Sequence, residues 1–360
     1  MENKKLKAAI IGCGNIAKVH AACLESIEYI ELVALCDILL ERAESLAKSY
    51  GVNYYTSYEE MLEKEAVDVI HICTPHYIHV PMSIYCLSKG KYVFLEKPPI
   101  MSQQQFFQLE SHSKIDKLGI CFQNRYNQGL NWLKDYLKSG KAGKILGARG
   151  IVTWSRDADY YEKSGWRGEL KKEGGGVLIN QAIHTLDILV NLMGEPLKVS
   201  ATKANHHLKG IIEVEDTMES CIKFASGTVV FYATTAHCIN SVPLIEVSCE
   251  KVTIRLEEPR ITLFYQNGQF EVISVENNEV FGKEYWGNGH KACINDYYKA
   301  IREEQKLPIT LADVKDTMGL MLSMYKSADS QVCEEVTVKS MLEIVPNSAS
   351  YNSHNYEEIE

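Results

Sequence analysis

Three groups of residues have the types and spacing to do chemistry together. Gly12-Cys13-Gly14-Asn15-Ile16-Ala17 follows the apolar run Ala8-Ala9-Ile10-Ile11 and opens an amphipathic stretch that reaches about Ser26. In a strand–turn–helix of this kind Gly12 permits the tight turn and Gly14 lets a pyrophosphate approach the backbone. Ala17 keeps the helix close to the sheet. The helix start at Asn15 and Ile16 then offers free N–H groups to phosphates. Asp37 lies twenty residues past Ala17, at the end of the next apolar run, Glu31 to Cys36. A carboxylate there accepts both hydroxyls of an adenosine ribose and repels a phosphate, which favours NAD over NADP. The plainer alternative is that the glycines only shape a turn and Asp37 only caps a helix.

The second group is Lys97, which closes the run Tyr92-Val93-Phe94-Leu95-Glu96. Ligands bind at the C-terminal edge of a doubly wound sheet, so a lysine there is placed for function. The third is Asn180 and His184, four apart in an apolar stretch behind Gly174-Gly175-Gly176. On an α-helix these two share a face. Oxidising an alcohol with NAD needs a base near the working pH, and histidine has the suitable ordinary pKa. His184 is therefore read as acid/base, Lys97 as proton relay and oxyanion stabiliser, and Asn180 as orienter of the substrate. The roles of His184 and Lys97 are open to exchange, since the sequence fixes neighbours and not distances. A satisfied core histidine is the alternative for His184. Asp187 either hydrogen-bonds the His184 ring or favours the early turns of its helix.

The loop from Trp154 to Gly168 mixes aromatics with charges. Sugar faces stack on rings, and sugar hydroxyls or attached phosphates pair with arginine, so Trp166 and Arg167 are candidate substrate contacts ahead of Arg156. Packing of Trp154 and Tyr161 on a sheet is the competing reading. The Gly174–Gly176 run reads as a place of close backbone approach, or else as a flexible connection. His206, His207 and His237 lack metal-site spacing, and no CxxC pair occurs among the eleven cysteines. The expectation is reduced, buried thiols in a cytoplasmic protein and no metal site.

These groups must be positioned by elements of two kinds. Up to residue 123, short apolar runs alternate with helical patterns: Ala8–Ile11, Glu31–Cys36, Val67–Cys73, Tyr92–Leu95 and Gly119–Phe122. That grammar is a parallel sheet covered on both faces. After a helix near Gly129 to Lys138 the pattern becomes alternating strands: Ile145–Trp154, Val199–Ala204, Thr217–Phe224, Thr228–Thr234, Leu244–Val247, Val252–Leu256 and Ile261–Tyr265. This predicts an antiparallel sheet with one covered face. Helices over His290–Glu304 and Leu311–Ser327 close it. The fold class is α/β: a doubly wound domain over 1–123, an α+β domain over 124–336, and a Ser/Asn/Glu-rich tail over 337–360, frayed at least in part.

Thr74-Pro75-His76-Tyr77-Ile78-His79, Glu96-Lys97-Pro98-Pro99 and Gly174-Gly175-Gly176-Val177-Leu178-Ile179-Asn180-Gln181-Ala182-Ile183-His184-Thr185-Leu186-Asp187 stand in register with the nucleotide fingerprint. Together they resemble the glucose-fructose oxidoreductase / inositol dehydrogenase / rhizopine-catabolism (Gfo/Idh/MocA) family, from about Lys7 to Val336, with Gly289-His290 included. The resemblance implies a Rossmann domain and an open, largely antiparallel sheet that forms a dimer or tetramer face. It implies that Lys97 meets both nicotinamide ribose and substrate hydroxyl, that Glu96 helps to hold Lys97, and that Lys97–Pro98 is often cis. Thr74, Pro75, His76 and His79 would line the nicotinamide half. Asn124, Arg125 and Tyr126 would lie near the substrate where the first domain passes into the second. Many members carry Asp where this chain has Asn180. Asn-Gln before the histidine resembles a subgroup acting on nucleotide sugars such as UDP-N-acetylglucosaminuronate.

Composition bounds the rest. With 46% hydrophobic residues, 24% charged and a net charge of -9, the chain is a packed protein without the footprint of a nucleic-acid surface. No stretch of eighteen uninterrupted apolar residues occurs, and the start Met1-Glu2-Asn3-Lys4-Lys5 is polar, so neither a membrane span nor a secretory signal is expected. The reading is an NAD-dependent oxidoreductase acting on a ring carbon of a sugar, nucleotide sugar or cyclitol. Two alternatives share the machinery: an NAD-dependent glycosidase working through transient oxidation, and a non-catalytic nucleotide-binding regulator.

Overall fold

The computed structural model describes residues 5–275 and 289–336. Six parallel strands build the first sheet: β1 Leu6–Ile11, β2 Ile30–Cys36, β3 Asn53–Tyr55, β4 Val69–Ile72, β5 Tyr92–Glu96 and β6 Leu118–Cys121, in the order β3-β2-β1-β4-β5-β6. All four residues of β4, and all four of β6, are buried, as strands covered on both faces must be. Helices α1 Asn15–Glu25, α2 Leu40–Tyr50, α3 Tyr58–Lys64, α4 His79–Ser88 and α5 Gln103–Glu110 supply the covering layers. Strand order reverses between β1 and β4, which opens a crevice at their C-terminal ends. The Gly12 turn and the Thr74 loop leave the sheet there. The three-residue edge strand β3 has no apolar run to announce it, and sequence periodicity missed it.

Beyond α6 Gln128–Lys138 comes a nine-stranded sheet: β7 Ile145–Thr153, β8 Pro196–Ala204, β9 Thr217–Phe224, β10 Gly227–Thr234, β11 Leu244–Cys249, β12 Val252–Glu257, β13 Arg260–Tyr265, β14 Phe270–Ser274 and β15 Glu334–Glu335. Its order is β14-β13-β12-β11-β7-β10-β9-β8-β15, and every pairing is antiparallel except β7 with β10. The alternation puts Val152, Val229, Phe231, Val247 and Ile254 inside, while Val230 and Leu146 face outward. Between β7 and β8 lie α7 Ala158–Glu162, α8 Leu170–Glu173 and α9 Ile183–Met193, and after β14 come α10 His290–Arg302 and α11 Lys315–Ser330. Helices α9 and α11 cover the inner face of this sheet. The stretch Leu170–Met193 is apolar enough to cross a membrane by length and composition, yet 89% of its most apolar window is buried inside the protein, as in a core helix.

Helix α10 does not stay with the second sheet. It returns to the first, against α1 and β6, where the Tyr297 ring fills the space that a Cβ on Gly119 would need. The frayed tail expected over 337–360 lies outside the described residues.

Candidate active site

The turn after β1 is built as its glycines require. Gly12 has φ +90°, and a Cβ on it would sit 2.6 Å from the Cys73 carbonyl oxygen. Gly14 faces open space, and α1 starts at Asn15 with no side-chain cap on its first N–H groups. Ile16 packs on the core at the same turn. Asp37 follows β2, and its two carboxylate oxygens accept the Cys13 N–H at 2.8 Å and the Leu39 N–H at 2.9 Å. The carboxylate is thus tied to the glycine turn itself.

The Thr74 loop and the end of β5 are stapled together. His79 turns one ring nitrogen to the Pro98 carbonyl at 2.8 Å and the other to the Thr74 carbonyl at 2.9 Å. Its ring is therefore committed behind the crevice, and it shapes the crevice through those two backbones. His76 reaches across to the second unit: its Nδ1 lies 2.8 Å from the Glu173 carbonyl, and its ring packs edge-on against Trp166. Pro75 precedes it in the turn, and the Thr74 hydroxyl is buried without a partner among the described residues.

Lys97 directly follows β5, and its bond to Pro98 is cis, as expected. Its Nζ donates to the Asn180 backbone carbonyl at 2.5 Å, and its own N–H donates to Glu96 at 3.2 Å. Burial lowers the Lys97 pKa, opposed by the charges of Glu96 and Glu173. Glu96 is anchored in turn by a buried chain: Tyr298 hydroxyl to His71 Nε2, His71 Nδ1 to His20 Nδ1, and His20 Nε2 to Glu96, each step 2.9 Å. A carboxylate only accepts, so each proton in the chain is turned toward Glu96. Burial opposes ionisation of Glu96, but the His20 hydrogen bond, with the Lys97 charge, holds its pKa well below the usual carboxylate range. His20, Glu96 and Cys121 bring their ligand atoms within 4.8 Å of one another. His20 Nε2 is hydrogen-bonded to Glu96, and burial raises the Cys121 pKa far above the ordinary thiol range.

Asn180 lies in a π-helical turn, Leu178–Ala182, that feeds α9. A π turn interrupts the regular i→i−4 ladder, and such turns recur at functional sites. The α-helical spacing assumed for positions 180 and 184 is therefore corrected: the Asn180 carbonyl faces Lys97, while its side-chain amide donates to the buried carboxylate of Glu173. His184 sits at the start of α9 against Phe122. Its Nε2 pairs with the Gln123 amide nitrogen at 3.2 Å, which leaves the ring proton on Nδ1. Burial, reinforced by the Lys97 charge, pushes its pKa well below the ordinary value, so the ring is neutral. Asp187 does not bond the His184 ring. It takes a bidentate contact from Arg125, at 2.7 and 2.6 Å, and a hydrogen bond from Thr317 at 2.8 Å.

Asn124, Arg125 and Tyr126 form the short turn after β6, where the first sheet hands over to α6. Arg125 is committed to Asp187, and the Tyr126 hydroxyl to Asp296 on α10 at 2.6 Å. These two tie the units together. Asn124 keeps a buried Oδ1 without a partner among the described residues. Trp166 and Arg167 lie together, the guanidinium 4.7 Å from the Trp166 ring centre and 4.9 Å from that of Tyr160. Arg156 is turned inward onto Asn240 and Ser155. His207 pairs with Asp216 and the Arg156 carbonyl.

The glycine run is a matter of space. A Cβ on Gly175 would meet the Tyr325 hydroxyl at 2.1 Å, and one on Gly176 the Glu215 backbone oxygen at 1.9 Å. Close approach, rather than flexible connection, is its reason. The Glu215 side chain then receives the Gly176 and Leu178 N–H groups at 2.8 and 3.1 Å and sets the start of the π turn. Glu173, Glu215, Gln123, His20 and His71 were not singled out from the sequence. Only Glu173 and Gln123 carried a signal, by adjoining the Gly174–Gly176 run and Asn124.

Residues 6–123 match the family described as an oxidoreductase family with an NAD-binding Rossmann fold, and residues 130–255 match its GFO/IDH/MocA C-terminal domain. D-glucoside 3-dehydrogenase of Escherichia coli (strain K12) is 27% identical over 357 residues, covering 92% of this chain and 97% of its own. Inositol 2-dehydrogenase of Salmonella typhimurium is 30% identical over 151 residues, 40% of this chain and 45% of its own. Among solved structures, the WlbA dehydrogenase of Chromobacterium violaceum, in complex with NADH and UDP-GlcNAcA, has a TM-score of 0.81 at 26% identity. That match covers 94% of this chain and 98% of the other.

Proposed function

The chain belongs to the Gfo/Idh/MocA family of oxidoreductases, and from that premise we propose that it is an NAD-dependent dehydrogenase acting on a ring hydroxyl, or the matching ketone, of a sugar, nucleotide-linked sugar or cyclitol. The observation that carries the reading is the meeting of Lys97 Nζ with the Asn180 carbonyl, one turn ahead of a buried, neutral His184. The dehydrogenases of D-glucosides and of inositol among its relatives support the substrate class.

The residues present fit a dinucleotide: a cradle at Gly12 that a Cβ would fill, open space at Gly14 and a helix start without a cap. Gly12, Gly14, Asn15, Ile16 and Asp37 would hold the adenosine and phosphates. Thr74, Pro75, His76, His79 and Glu96 would frame the nicotinamide end, with Lys97 reaching both cofactor and substrate. NAD, when bound, supplies the acceptor for the electron pair that leaves the carbon.

The chain's own residues manage the proton. His184 is uncharged, and its Nε2, which holds the Gln123 amide, is the atom that would accept the proton once the substrate hydroxyl takes that amide's place. Lys97 Nζ stabilises the developing oxyanion and relays the proton. Asn180 orients a neighbouring hydroxyl, and Trp166, Arg167 and Asn124 offer a stacking face and polar contacts for the rest of the ring. Arg125 and Tyr126 contribute by holding the two sheets in register. The open face of the second sheet is the surface through which a homodimer or homotetramer would form. No disulfide links the chain's eleven cysteines, which fits a reducing compartment such as the cytoplasm.

The test is a nicotinamide absorbance screen with NAD and NADP against inositols, hexoses, hexuronates and nucleotide-linked sugars, in both directions, with Lys97→Met alongside. The expected result is turnover with one class and NAD, falling roughly 10²–10⁴-fold in Lys97→Met while NAD affinity holds. Wild-type rates in that variant would end the assignment. Silence across the panel with NAD binding intact favours the glycosidase or regulator readings.

A further inference from the structure

We propose that Glu173 is a positioning residue of this site: it fixes which way the Asn180 amide points and supplies the negative charge that Lys97 meets from the substrate side. The inference rests on the dehydrogenase reading above.

Glu173 ends α8, directly before the Gly174–Gly176 run, and is fully buried. One carboxylate oxygen accepts the Gly168 N–H at 2.5 Å, the other accepts the Asn180 side-chain amide, and the Glu173 backbone carbonyl receives His76 Nδ1 at 2.8 Å. One residue thereby joins the aromatic loop, the Thr74 loop and the π turn. An anchor for the loop alone would need only the Gly168 bond. The second oxygen commits Asn180 Nδ2, and an amide with its nitrogen committed leaves Oδ1 to accept from a substrate hydroxyl. Lys97, held on the carbonyl of the same Asn180, feels the Glu173 charge.

The charged and titratable groups around this carboxyl come from every element packed on it: Arg167 on the loop, Glu215 before β9, Lys97 after β5, Tyr161 on α7, Tyr325 on α11 and His76 on the Thr74 loop. Burial pushes the Glu173 pKa up to about 7, against the Gly168 and Asn180 hydrogen bonds and the Arg167 charge. When the carboxyl gains a proton, its O–H needs an acceptor. The oxygen facing Gly168 N–H already accepts, so the proton sits on the other and the Asn180 amide must turn its Oδ1 inward. Nδ2 then faces the cleft, and the acceptor for the substrate hydroxyl is lost.

The same logic fixes the experiment. In Glu173→Gln the Gly168 N–H claims the new carbonyl, so the new NH₂ faces position 180 and holds Asn180 in the turned state at all pH. The expected result is a KM raised roughly 10- to 100-fold, the worth of one mispaired buried hydrogen bond, together with an altered pH profile of kcat, because Lys97 loses the Glu173 charge. The rise in wild-type KM below about pH 7 should vanish in this variant. Adding N180D should restore KM, because a carboxylate at position 180 accepts both from the new amide and from substrate. A purely structural role predicts no such rescue. A Glu173→Gln enzyme with wild-type KM and pH profile, or a double variant as poor as the single, overturns the proposal. One readout needs no substrate: a protonated-carboxyl infrared band in the apoprotein that titrates near neutrality and is absent from Glu173→Gln. If Lys97→Met is wild-type in rate the dehydrogenase reading falls; if that reading stands and the band is missing, only the Glu173 assignment falls.

Discussion

Replacing Asp37 with asparagine should move the preference for NAD over NADP by about two orders of magnitude. The side chain has no freedom to swing away: both oxygens are held by backbone N–H groups at 2.8 and 2.9 Å, and the residue is 8% exposed. A 2′-phosphate on the adenosine ribose would carry about -1.5 to -2 charges, and at about 5 Å from the carboxylate it would be repelled by roughly 1.5 kcal/mol in a water-like dielectric. The partly enclosed site makes that a lower bound. Removing the charge relieves the repulsion and weakens the hydrogen bonds to the ribose hydroxyls of NAD, at a further cost of about 1–2 kcal/mol. The two effects act in opposite directions on the two cofactors, so their ratio shifts by about 3 kcal/mol, or ~100-fold. Arg42, whose charge reaches Cys13 beside the turn, favours the phosphate once Asp37 is neutral.

The assay is the dissociation constant of NADH and NADPH by fluorescence titration on wild type and Asp37→Asn, at fixed salt, since screening changes the repulsion. Asparagine keeps one acceptor for the Cys13 and Leu39 N–H groups, so folding should survive with a loss of about 1 kcal/mol. A parallel loss for both cofactors would show that the substitution only damaged the turn. A ratio unchanged within about twofold, with folding intact, would mean that Asp37 does not meet the ribose, and the charge argument would fail.

Acid should destabilise the protein through its buried imidazoles. His71, His76, His184 and His290 all have pKa values lowered by burial, His290 to about 4, so the unfolded chain takes up protons near the ordinary 6.5 before the folded one does. Their contribution is constant above about pH 6.5 and falls below it, by about 3 kcal/mol for His290 alone once pH reaches its folded value. Urea midpoints at pH 7.5 and 5 should differ accordingly, less so in His290→Leu; equal midpoints would contradict the burial argument. Gly176→Ala should cost more than about 2 kcal/mol, because its Cβ would overlap the Glu215 backbone oxygen at 1.9 Å. Gly165→Ala, in open space at φ +75°, should cost only about 1–2 kcal/mol. Thermal melts of the two compare them directly, and a Gly176→Ala protein as stable as wild type would refute the packing explanation.

The parallel sheet was legible because its strands are buried on both faces and so read as apolar runs; β4 and β6 had no alternative appearance. The antiparallel strands were legible from alternation, as β12 displays residue by residue. Strands β3, β14 and β15 escaped because edge strands bury little: four of the five residues of β14 are exposed. The parallel pairing of β7 with β10 also left no trace, since direction depends on connection and not on pattern. In the site, Lys97, Asn180 and His184 were found by motif, while the groups that hold them were not. His20, His71 and Tyr298 are scattered over 278 positions, and nothing local marks them as neighbours until the sheet and α10 bring them into one hydrogen-bonded row.

Three carboxylates in this crevice show why residue type alone could not assign the site. Asp37 is fed by two backbone N–H groups at the mouth of the glycine turn, Glu96 by a row of imidazoles and a phenol, and Glu173 by one N–H and one amide in a dry pocket. The number and charge of the donors decide what each can do. Glu96, with the His20 hydrogen bond and the Lys97 charge beside it, stays ionised and opposes the loss of the Lys97 proton. Glu173, with too few donors to offset burial, sits near the point where it can hold or release one. A lysine between a carboxylate that does not titrate in the working range and one that does is a lysine whose basicity follows pH. The Asn180 amide, bonded to the second of these, carries that change to the place where a substrate hydroxyl would be held.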